Sequence, residues 1–121
     1  MVAADQPDDL PAGDLKHLLA VRTERFATEQ AVARLRQGIK LGHSDQIATA
    51  VNAAIESVHH LAALAAAPPD DTTSVRLRAQ VRECQNSFQR AHLRGDTDGV
   101  IGRGELVGDA VMNYAIHLTN L

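Results

Sequence analysis

Between Ser44 and the Pro68–Pro69 pair, Ile47, Val51, Ala54, Val58, Leu61 and Ala65 recur at steps of four and three, the spacing that lines up one face of an α-helix. That stripe predicts a helix over 44–67, capped by Ser44 and stopped by the prolines. Past the acidic turn Asp70–Asp71 the spacing returns in Leu77, Val81, Cys84, Phe88 and Ala91 and ends at Gly95, predicting a helix over 72–94. Val107, Val111, Tyr114, Leu118 and Leu121 predict a further helix over 103–120. Upstream, Asp14 is a good N-cap and Gly38 and Gly42 bracket a stop. They delimit a first helix over 14–40 with apolar positions Leu15, Leu18, Leu19, Phe26, Val32, Ala33, Leu35 and Ile39. This series thins between Arg22 and Gln30, which implies a weaker core or a polar feature there. Four amphipathic segments joined by short turns predict an all-α, up-down antiparallel four-helix bundle. Residues 1–13, with Pro7, Pro11 and Gly13 among aspartates, are expected to form a flexible acidic tail ahead of a single helical domain over 14–121.

Composition supports the helical reading. Of 54 apolar residues among 121, 20 are alanine and only three are aromatic, which suits packed helices and not an aromatic-rich sandwich. It also leaves no row of aromatic rings on which single-stranded nucleic acid could stack. Gly104 and Gly108 on the last helix, with the alanines, would let helix axes approach closely. No apolar run reaches the roughly 18 residues of a membrane-spanning helix, and Met1–Asp14 carries no base of the kind that opens a signal peptide. The one cysteine, Cys84, excludes an internal disulfide framework and falls within an apolar stripe, where a thiol packs as a small core residue. A cytoplasmic location is the resulting expectation.

Charge is uneven along the chain. Residues 1–14 carry −4, residues 15–94 carry +4 and residues 95–121 carry −3, for a net charge of −3. Ten of the twelve bases are arginine, but Arg76, Arg78, Arg82, Arg90 and Arg94 do not share one helix face. That spread suits helix solvation better than a stripe tracking phosphates.

Two short stretches carry possible chemistry. In Arg94-Gly95-Asp96-Thr97-Asp98-Gly99-Val100-Ile101-Gly102-Arg103-Gly104-Glu105, the later part resembles an EF-hand calcium loop. Asp96 and Asp98 stand where that loop has its second and third oxygen donors, Gly99 its glycine, Ile101 its apolar residue and Glu105 its closing carboxylate. Arg94 occupies the place of the first carboxylate, and Gly102 offers no side-chain oxygen. Asp96, Asp98 and Glu105 are therefore the candidate metal ligands, and the expected structure is a solvated turn that holds no calcium. Overlapping it, Ala91-His92-Leu93-Arg94-Gly95 resembles the His-x-x-Lys-Gly stretch of histidine phosphotransfer domains, with one residue fewer between histidine and base. The deletion swings the base about a third of a turn away from the imidazole.

His59 and His60 diverge by about 100° on a helix and cannot share an ion, with His60 expected to face water. His17, His43 and His117 lack sequence partners at ligand spacing, although a bundle could bring His17 or His117 against another helix. No nucleophile elbow, phosphate loop or zinc-protease motif is present. No catalytic residue and no cofactor is assigned. The leading expectation is a non-enzymatic module that binds protein through helix faces. The alternatives are a nucleic-acid-associated regulator using the basic central segment and a metal-responsive sensor using residues 94–105. Val21 and Leu41 on the first helix, and Leu106 and Ile116 on the last, exceed what one core needs and suggest a homodimer.

Overall fold

Gly42 and Gly95 set the two shortest connections. Both sit at positive φ, 72° and 70°, the left-handed conformation that ends a helix cheaply only in glycine. At Gly95 the amide donates to the His92 carbonyl and the Asp96 amide to the Ala91 carbonyl, closing the last turn in a Schellman pattern. Asp96 then caps the next helix at once, its Oδ1 accepting from the Gly99 amide at 2.9 Å. The chain is described here in a computed structural model over residues 12–65 and 71–120. Residues 1–11, most of the acidic tail expected over 1–13, lie outside the described residues, as do residues 66–70, where Pro68–Pro69 were expected to stop the second helix, and Leu121.

Four helices result: α1 (Ala12–Leu41), α2 (Ser44–Ala65), α3 (Thr72–Leu93) and α4 (Thr97–Thr119). They run up and down as a four-helix bundle. Arg25 and Arg36 of α1 meet Thr119 and Asp109 of α4, so these two helices are antiparallel. Asp71 at the start of α3 meets His117 at the end of α4, and the Ala91 side chain lies beside Gly99 at the other end. The bundle is skewed. α2 and α4 pack across its centre, α1 and α3 flank them, α2 and α3 barely touch, and α1 and α3 do not meet among the described residues. Gly104 allows the central approach, since a Cβ there would lie 3.2 Å from Ile47 of α2 and 3.4 Å from Ile39 of α1. Gly108 likewise faces Leu35 and Val32 of α1.

The core on α2 is the expected stripe, with Ile47, Val51, Ala54, Val58 and Leu61 buried, Ile55 added and Ala65 at its edge. α3 contributes Leu77, Val81, Phe88 and Ala91, and α4 contributes Val100, Val107, Val111, Tyr114, Ala115 and Leu118.

Two boundaries and one facing differ from the sequence expectation. α4 begins at Thr97 and not at 103, because the Asp96 cap and the Gly99 amide start the helix inside the glycine-rich stretch. α1 begins at Ala12, so Asp14 stands within its first turn, where a negative charge meets the positive helix end, and is not the cap. On α1 the core comprises Thr28, Ala31, Val32 and Leu35, whereas Leu15, Leu18, Leu19, Phe26 and Ala33 are exposed. The thinned region holds a polar feature after all: Thr28 is fully buried, its hydroxyl donating to the Glu24 carbonyl at 2.9 Å.

Candidate functional site

The titratable groups converge most closely where α3 starts and α4 ends. Asp71 caps α3, its Oδ1 accepting from the Thr73 amide at 3.2 Å. Its Oδ2 accepts from the Ser74 hydroxyl at 2.6 Å and lies 2.8 Å from His117 Nε2. The Ser74 hydroxyl, reinforced by His117, holds the Asp71 carboxyl down to about 2 from its usual 3.8, against the opposing pull of partial burial. The serine donates to the carboxylate and not to the imidazole, so the cluster lacks the serine-to-base contact of a nucleophilic triad. What it does is tie the first turn of α3 to the last turn of α4. The sequence placed Asp71 in the acidic turn after the prolines, its role as the α3 cap comes from the bond with the Thr73 amide, and its link to His117 follows only once the two helices are known to be antiparallel.

The calcium-loop residues are separated by the helix that contains them. Asp96 is engaged as the cap of α4, and Asp98 lies in the first turn. Glu105 follows Asp98 by seven residues, which places it about 10 Å further along the axis. No three His, Cys, Asp or Glu side chains gather at metal-binding distance among the described residues. His92 is half-buried, stacked on Phe88 with ring centroids 6.0 Å apart, and its Nε2 lies 3.5 Å from the exposed Asp45 carboxylate. Arg94 caps the end of α3. Cys84 is half-buried in a groove between α3 and α4, where burial first and Glu83 second push its thiol upward, away from the reactive thiolate. His17, His43, His59 and His60 are exposed.

The unusual feature of the surface is apolar. Leu15, Leu19 and Phe26 are 51%, 53% and 60% exposed, and they lie within about 40° of one another on the α1 helical wheel. The core positions of α1 lie about 170° away round the same helix, so α2, α3 and α4 cannot cover this stripe. α1 is also the longest helix, 30 residues against 22 in α2, or about 12 Å of extra length. Leu41, at the far end of α1, is 56% exposed, and Leu106 and Ile116 of α4 are exposed as expected, whereas Val21, expected as surplus with them, packs at the edge of the core. Beside this stripe, α1 and α2 enclose an open groove of about 520 Å³, floored by Ala31, Gly38, Ala50 and Ala53 and ended by Leu41. The groove is the larger surprise. Its small residues do not interrupt the apolar stripes, so nothing in the spacing singled them out.

No described helix is long and apolar enough to cross a membrane. No family model, no curated protein and no solved structure matches this chain.

Proposed function

We propose that the protein is a helical interaction module that binds protein through the outward face of α1, without catalysis of its own. The observation that supports this most directly is the stripe of Leu15, Leu19 and Phe26, three large apolar side chains aligned on one face and turned away from the core. Isolated exposed leucines are ordinary on any surface, but an aligned stripe containing a phenylalanine has the composition of a docking face. The clustered polar groups favour the same reading: Asp71, Ser74 and His117 satisfy one another, and the carboxylates near the start of α4 are spread along a helix.

The test places a photo-crosslinking phenylalanine analogue at Phe26 in living cells. Adducts should form there, with any protein including the chain itself, and should be lost when Leu15 and Leu19 are also changed to glutamate. A matched probe at exposed Arg82 should give none. Equal yields at Phe26 and Arg82, or none at Phe26, would remove the proposal.

A further inference from the structure

Building on that reading, we infer that the occupant of the α1 face is a second copy of this chain, lying antiparallel with its α1 N-terminal half in the groove between α1 and α2. The inference begins with register. Leu15 and Leu41, both about half exposed, are equidistant from Thr28 along α1. A twofold axis level with Thr28, on the opposite side of α1 from its buried side chain, therefore sets Leu15 against the partner's Leu41 and Leu41 against the partner's Leu15, so that one operation covers two exposed leucines on each copy.

Facing agrees with register. Leu15, Leu19, Phe26, Gln37 and Leu41 fall within an arc of about 80° on α1. One straight helix can therefore present the whole set to an antiparallel neighbour. The groove lies along the same edge, and its alanine and glycine floor supplies the hollows that protruding leucines fill. The contact is self-complementary: protruding large residues on the first half of α1, small residues beside its second half.

Charge agrees as well. Lys16 lies on the flank of α1 that leads toward α2, and the twofold carries the partner's Lys16 to the level of Lys40 on the groove side. Asp45 stands there, at the mouth of the groove and fully exposed, 3.5 Å from His92. The same operation keeps Lys16 and the partner's Lys40 on opposite flanks of the helix pair, so the arrangement brings unlike charges together and separates like ones.

The experiment combines mass and cross-linking on the full chain. Sedimentation from 1 to 500 µM should show reversible association to twice the 13.0 kDa chain mass. Ala53→Arg, an exposed position in the groove, and Leu41→Glu should each shift the midpoint at least tenfold upward while the helical spectrum and melting of the monomer stay unchanged. In a Cys84→Ala background, mixing chains bearing Leu15→Cys with chains bearing Leu41→Cys should give a covalent dimer with a short bismaleimide. Neither chain alone should link, because the twofold puts like positions about 39 Å apart. A strict monomer at 500 µM, or linking of either chain with itself at the yield of the mixture, overturns the inference. A strict monomer together with Phe26 adducts to another protein would defeat the second copy and leave the module reading standing.

Discussion

Protonation of Asp71 matters to the bundle, because its carboxylate accepts from the Ser74 hydroxyl and the Thr73 amide and lies against the His117 imidazole. Its folded value of about 2 lies below the ordinary 3.8, so its contribution is present above pH 3.8 and is lost as pH falls toward 2. Urea unfolding at pH 6 and pH 2 should therefore show a drop in stability that Asp71→Asn, which keeps a capping side chain, largely abolishes. Equal drops in the two proteins would show that acid acts elsewhere. Val58, by contrast, has no polar partner and is completely buried in the most regular stripe of the chain. Val58→Asp puts a charge where hydration is absent, at a cost of several kcal/mol, whereas His59→Ala on the exposed side should stay within about 0.5 kcal/mol. Thermal melting of the two variants measures this difference, and equal shifts would refute the facing of α2.

Glycine has opposite effects at neighbouring positions of α4. At Gly102 a methyl group meets open space, so Gly102→Ala should stabilise the helix by about 0.5–1 kcal/mol. At Gly104 the same methyl group would press on Ile47 and Ile39 where α4 crosses α2 and α1, so Gly104→Ala should fall below Gly102→Ala in melting temperature. The reverse order would mean that the central crossing is looser than its distances. Because α4 separates Asp98 from Glu105, calorimetric titration with calcium should show no micromolar site, even in an Arg94→Asp variant. How much of each helix was legible follows from its surroundings. α2, with one apolar stripe, could be read from spacing alone, and Gly42 and Gly95 gave its neighbours' stops. α1 carries apolar residues on two opposite faces, and periodicity cannot say which of them meets the bundle. The start of α4 was hidden because aspartates and glycines are shared by turns and helix caps, and only the bond from Asp96 to the Gly99 amide decides between them. The α1–α2 groove left no trace in the spacing, since alanines that floor a groove look like alanines that face water.

On the scale of the whole molecule, stability is distributed asymmetrically. α2 and α4 form the buried centre, whereas α1 enters the core only from Thr28 onward, with Val21 at its edge, and otherwise leans on a bond from Arg25 to Thr119. A helix segment held on one edge and wet on the other opens by itself at a fraction of the global cost. In a dilute sample, amide hydrogen exchange should therefore run fastest among the helices in α1 from its start to about Ala27, and slowest in α2 from Val51 to Leu61 and in α4 from Val107 to Val111. If a second copy covers the outward face, raising the chain concentration should slow the α1 segment, and the α2 and α4 amides that exchange only on global unfolding should slow with it, because both kinds of opening require the two copies to part first. Rates in α1 that ignore concentration would mean that its leucines and Phe26 face solvent at every concentration sampled.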